Sequence, residues 1–173
     1  MKLPTILKDS EPSFPRRSLD KGFTLIEIAL VVGLVTIVAS VGMFFDFDSF
    51  RAHSFYTDRD ALISALQHAR SEAISNVCRG SCTDGLPHGV NILDDKYIIF
   101  QGADYSSADH NQDAVLDANP NVAHGGMDEI VFRQLSGDAV SPGDITLRDN
   151  LGGRKSTISI NSEGQIIWTD ERI

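Results

Sequence analysis

The longest unbroken pattern in the chain is apolar. From Phe23 to Phe45 it reads FTLIEIALVVGLVTIVASVGMFF, 23 residues with one charge, Glu27. As a helix this run spans about 35 Å, enough for a bilayer core of about 30 Å. Arg16, Arg17 and Lys21 precede it, and Asp46 and Asp48 follow it. The positive flank predicts a cytoplasmic N-terminus and an exported C-terminal side.

After the apolar run the periodicity becomes that of an amphipathic helix. Over residues 50–77, Leu62, Leu66, Ala69 and Ala73 recur at helical spacing, with Ile63 and Ile74 beside them. Arg59, Asp60, Gln67, Arg70 and Glu72 fall on the other faces. The small residues Ala65, Ala69 and Ala73 let a sheet or a neighbouring helix come close. This segment is predicted to be the soluble half of one long stem helix.

Beyond Gly80 the pattern changes to period two and short apolar runs. Strands are predicted at Val90–Leu93 and Tyr97–Phe100 around an Asp94-Asp95 turn, at Glu129–Leu135 and at Asp144–Leu147. Thr157–Ile160 and Gln165–Trp168 read as a hairpin closed by Asn161-Ser162-Glu163-Gly164. One long helix followed by antiparallel strands is an α+β arrangement. The divisions that follow are a leader at 1–22, a membrane-spanning half-helix at 23–45, a soluble half-helix at 46–78 and a β-rich head at 79–173.

Charge sharpens these divisions. Residues 1–22 carry a net of +2, which leaves −11 for residues 23–173 of a chain whose total is −9. An acidic body does not suit binding to phosphate backbones, which needs clustered Lys and Arg. Arg148, Arg154, Lys155 and Arg172 are the candidates for a local basic patch. Pro4, Pro12 and Pro15 make the leader a poor helix.

Glu27 lies five residues into the apolar run. A carboxylate in hydrocarbon costs about 3 kcal/mol, and such a residue usually marks a function and has a partner. Two plainer readings of the segment ignore it: a signal anchor, or a secretory signal peptide cut after Gly42, where Ser40-Val41-Gly42 offers small residues. An α-amino group created by a cut just upstream is the obvious cationic partner.

Lys21-Gly22-Phe23-Thr24-Leu25-Ile26-Glu27 resembles the type IV prepilin processing motif. The resemblance implies cleavage after Gly22 by a membrane prepilin peptidase, methylation of the new amine on Phe23, and a role for Glu27 as the carboxylate that pairs with an N-terminal amine during filament assembly. It also implies a pilin-like fold, other pilins or pseudopilins as filament partners, and an inner-membrane assembly platform. Arg59…Leu66…Ala69-Arg70-Ser71-Glu72-Ala73-Ile74, then Tyr97…Phe100, an Asp/Asn-rich loop and a final strand–Gly–strand resemble the GspH/FimT group of minor pilins and pseudopilins. Type II secretion and type IV pilus systems both use such subunits, and some FimT-like members are thought to capture DNA.

The remaining chemistry is sparse. Cys78 and Cys82, just past the helix, are candidates for a disulfide in an oxidising compartment. Asp109, Asn111, Asp113 and Asp117 have the oxygen-ligand spacing that starts a calcium loop, but Ala114 stands where that loop wants glycine and Pro120 where it wants glutamate. The plain alternative is an acidic loop of turn formers. His53, His68, His88, His110 and His124 form no metal or triad spacing, and no nucleophile elbow or phosphate loop is present. The expectation is a structural subunit, not an enzyme, without an organic cofactor.

Overall fold

The computed structural model describes residues 22–80, 82–150 and 153–172, the side chains of 43–48 excepted. The leader reading at 1–21 lies outside the described residues. The chain divides into two compact units, up to Gly42 and from Met43 onward. One helix, α1, runs Leu25–Ile74.

In the first unit α1 begins at Thr24, whose carbonyl and hydroxyl oxygens accept from the Glu27 amide at 3.0 and 3.3 Å. The side-chain bond is the N-cap arrangement that satisfies an orphan donor of the first turn. Every side chain from Phe23 to Gly42 is exposed.

The second unit holds two four-stranded antiparallel sheets. The strands are β1 His88–Ile92, β2 Lys96–Gln101, β3 Ala114–Asp117, β4 Val122–Gly126, β5 Glu129–Phe132, β6 Gly143–Asp149, β7 Arg154–Ile160 and β8 Ile166–Arg172. The first sheet has the order β3-β2-β1-β5 and the second β4-β6-β7-β8. The chain therefore leaves the first sheet for β4, returns for β5 and leaves again, which stitches the two sheets together.

Between them lies one core. Phe55, Leu62, Leu66, Ala69 and Ala73 of α1 join Val90, Ile92, Tyr97, Ile99, Ile130 and Phe132 of the first sheet and Ile145, Leu147, Ile158 and Ile160 of the second. The helical stripe read from the sequence is the buried face of α1. Gly89 is required by a close approach: a Cβ there would lie 2.5 Å from the Phe100 ring and 2.7 Å from the Ile130 carbonyl.

The expected α+β, pilin-like class is what the structure shows, and each predicted strand lies within or across an observed one. Three details differ. The strand expected over Glu129–Leu135 stops at Phe132, because the chain turns there and Leu135 takes a left-handed φ of 67°. Ile74 is 43% exposed rather than part of the core stripe. Glu72, placed by periodicity on a solvent face, is buried.

Candidate functional site

The apolar end of α1 is the first candidate. Leu25–Gly42 has a mean hydropathy of 2.4, is unburied throughout, and is long and apolar enough to cross a membrane. Its hydroxyl groups are satisfied within the helix: Thr36 donates to the Gly33 carbonyl and Ser40 to the Ile37 carbonyl, both at 2.8 Å. This is what a helix in hydrocarbon requires of every polar group. Gly22 and Phe23 precede the helix, outside regular secondary structure, and Glu27 is in its first turn. A carboxylate there is favoured by the unpaired amides and dipole of the helix N-terminus. Thr24 and Glu27 thus also have the spacing of a capping box, a signal present in the sequence that the motif reading passed over.

Two buried polar clusters tie the second unit together. In one, the Tyr97 hydroxyl donates to Asp58 Oδ2 at 2.9 Å and lies 2.7 Å from His124 Nε2. The hydroxyl has a single hydrogen, so His124 carries its proton on Nε2 and donates to the tyrosine. Asp58 Oδ1 accepts from the Asn119 amide at 2.8 Å, and the Asn119 side chain donates to Ser54 at 2.7 Å. Burial first, and the Asp58 carboxylate second, push the Tyr97 hydroxyl above its usual range. The phenol stays neutral, and the cluster fixes the β3–β4 connection to α1.

In the other cluster, Arg79 donates to Glu72 Oε1, while His88 Nε2 stands 3.9 Å from Glu72 Oε2 and His68 Nε2 stands 3.5 Å from Oε1. His88 is 1% exposed. Burial holds its imidazole below the ordinary histidine value, against the opposing pull of Glu72. Sequence reasoning missed both clusters. For Asp58 the signal was available, since it extends the Leu62–Leu66 stripe back by one helical turn.

Cys78 and Cys82 are joined in the structure, with Cα atoms 5.9 Å apart. The calcium candidates lie along the 3-10 turn at His110–Gln112 and the strand that follows it. Asp109 caps a 3-10 turn at His110–Gln112 and accepts from the Asn111 side chain at 2.7 Å. Asp113 lies 2.9 Å from His110 Nδ1, and Asp117 ends β3 in register with Lys96. Among the described residues no group of three or more His, Cys, Asp and Glu side chains is placed to hold a metal ion. The sheet register brings the four basic candidates into two cross-strand pairs, Arg148 opposite Lys155 and Arg154 opposite Arg172, and carboxylates accompany them: Arg154 pairs with Asp149 and Lys155 with Glu171, each at 3.3 Å.

An exposed apolar helical segment in the first unit, and in the second a helical segment covered by two antiparallel sheets, define a pilin-like protein with a membrane anchor. The family model for the type II transport protein GspH matches residues 58–164, and the chain belongs to that family. It is a pseudopilin-type subunit, in a structural family rather than an enzymatic one. No curated protein and no solved structure matches the chain.

Proposed function

We propose that the chain is a minor pseudopilin or minor pilin, made as a precursor, cut between Gly22 and Phe23 by prepilin peptidase, methylated on the Phe23 amine and drawn from the inner membrane into a filament. The observation that carries this reading is Glu27, one carboxylate in the first turn of a fully exposed apolar helix. The cut supplies an amine beside it, on its own chain or on a neighbouring subunit. In the filament the apolar face packs against other subunits and the ion pair gives register, the best-attested use of a buried pair. The head faces the periplasm or the outside, and the N-terminus faces the cytoplasm.

Intact mass spectrometry of the protein extracted from cell membranes tests the processing. The expected mass corresponds to a chain starting at N-methylated Phe23. A mass for a start at Met1 means no cut, and one for a start at Met43 means release by signal peptidase after Gly42; either overturns the reading. The machine served is tested by crosslinking: capture with secretion pseudopilins or with pilus subunits decides between the two.

A further inference from the structure

The end of α1 turns directly into a small covalent loop. Asn76 takes a left-handed φ of 53° and closes the helix, with the Val77 amide donating back to the Glu72 carbonyl at 3.0 Å. Asparagine is among the few residues that adopt this cap geometry readily. Cys78 and Cys82 then bracket Arg79 and Gly80, with Ser81 outside the described residues.

Arg79 is held at both of its ends. Its backbone amide donates to Gln101 Oε1 at 2.7 Å, and its carbonyl accepts from Gln101 Nε2 at 3.3 Å. The same Nε2 lies 3.4 Å from the Cys82 sulfur. One side-chain amide on β2 therefore reads the loop backbone and one of its sulfurs together. The guanidinium reaches the Glu72 carboxylate and also donates to the Gln112 carbonyl at 3.4 Å.

Glu72 needs that cation. Its side chain is only 10% exposed. Its Oε2 has no hydrogen-bond partner, and the buried His88 imidazole lies across from it, 3.9 Å away. The charged and titratable groups facing this carboxylate are His68 on its own helix, His88 on β1 and Arg79 on the loop. An unpaired buried carboxylate is costly, and of the three only Arg79 carries a permanent charge. Arg79 is kept there by the Gln101 bonds to its backbone and by a loop of five residues closed by one bond.

We propose that the Cys78–Cys82 bond is a redox-gated clasp: while closed it seats Arg79 on Glu72 and fastens the end of the stem helix to β1 and β2, and reduction releases it. A dithiol of the thiol–disulfide oxidoreductase class gives two electrons and two protons. The Cys78–Cys82 bond becomes two thiols, and the dithiol becomes a disulfide. With the loop open, Arg79 regains rotamer freedom and water, and Glu72 is left facing two imidazoles, the exposed His68 3.5 Å from Oε1 and the buried His88 3.9 Å from Oε2. His88, across from the unpartnered Oε2 and relieved of the facing Arg79 charge, takes up a proton more readily. The clasp makes the seating of the stem end depend on the oxidising compartment that the exported head enters.

The test uses the full chain in detergent micelles, with ring-labelled histidine followed by NMR through a pH titration. His88 is assigned by loss of its signal in His88→Gln. Reduction with dithiothreitol is expected to move the His88 midpoint upward. Arg79→Gln is expected to move it upward already in the oxidised protein, and reduction of that variant adds nothing. An unmoved midpoint on reduction overturns the proposal, as does an equal shift in wild type and Arg79→Gln. Should the reduced chain unfold, the oxidised Arg79→Gln protein still decides: an unchanged midpoint there sinks the clasp. Thiol alkylation of the unreduced protein separately tests the bond on which the proposal rests, and two free thiols overturn it.

Discussion

Tyr97 and Asp58, separated by 39 positions in the chain, meet in a 2.9 Å hydrogen bond that joins β2 to the stem helix inside the core. The bond carries more than its own energy. Asp58 also holds the Asn119 amide, so the same carboxylate anchors a strand and the β3–β4 connection. Tyr97→Phe is expected to destabilise the chain by about 1–3 kcal/mol, because it leaves a buried acceptor short of a partner. Asp58→Ala should cost more, since it also frees the Asn119 segment. Thermal unfolding in detergent, with hydrogen exchange at residues 117–121, checks both.

A second junction lies at the far end of the helix. Arg70 donates to the Gly137 carbonyl at 3.2 Å and to the Glu163 carbonyl at 2.9 Å, and so bridges α1, the turn after β5 and the β7–β8 hairpin. Gly164 sits there with φ of 71°, and a Cβ at this position would run into the Gly137 carbonyl. Gly164→Ala is therefore expected to lose at least about 1 kcal/mol, through both left-handed strain and displacement of the Arg70 clasp. A melting temperature equal to that of wild type would contradict this.

The position of His88 makes stability depend on pH. Its folded value is held below the unfolded value of about 6.5 by burial. Above that value both states are neutral and His88 contributes no pH dependence. Below it the unfolded state binds a proton first, so stability falls until the folded value is reached. His88→Gln should flatten the stability profile just below neutrality relative to wild type. Parallel profiles for the two proteins would show that His88 does not titrate differently on folding.

What the sequence could reveal followed from periodicity. The stripe Leu62, Leu66, Ala69, Ala73 was legible because each member is an apolar residue one helical turn from the next, and all four are buried. Strands β3 and β4 were not legible. Ala114–Asp117 is four residues beside an acidic turn, and Val122–Gly126 ends in two glycines, so neither offers the alternating β-branched signal on which a strand assignment relies. The pairing of β3 with β2 and of β4 with β6 supplies what local propensity lacks. Glu72 was misplaced because its polarity suggested solvent, whereas its cation, Arg79, comes from beyond the end of the helix. The motif at Gly22, Phe23 and Glu27 was legible as a string of residue types, and its chemistry belongs to processing and assembly rather than to the folded body.

Processing and insertion should separate cleanly at Gly22. A bulky cation in Gly22→Arg is expected to block the cut. The apolar run Leu25–Gly42 is untouched, so the precursor should still reach the membrane. A normally cut Gly22→Arg protein, seen on a gel beside the wild type, would move the cleavage site elsewhere.

Glu27→Ala separates anchoring from assembly. Removing the acid makes the first turn of α1 more apolar, so membrane insertion should improve slightly. Thr24 still accepts from the residue 27 amide, because that bond uses backbone nitrogen at 3.3 Å and not the glutamate side chain. Helix initiation therefore survives, apart from a loss of about 0.3–1 kcal/mol as the first turn gives up its favourable carboxylate. What disappears is the partner for the Phe23 amine. An unpaired ammonium in hydrocarbon is expensive, so docking of the next subunit becomes unfavourable while the cut after Gly22 proceeds. Glu27→Gln keeps a hydrogen-bond acceptor without the charge. It should be milder than Glu27→Ala if the acceptor matters, and equal to it if charge alone does. The assay is in-cell crosslinking to filament partners, with the processed form confirmed by mass. Wild-type crosslinking by a fully processed Glu27→Ala protein would leave Glu27 with only its place in the first turn of α1, as a helix-initiating residue without a part in assembly.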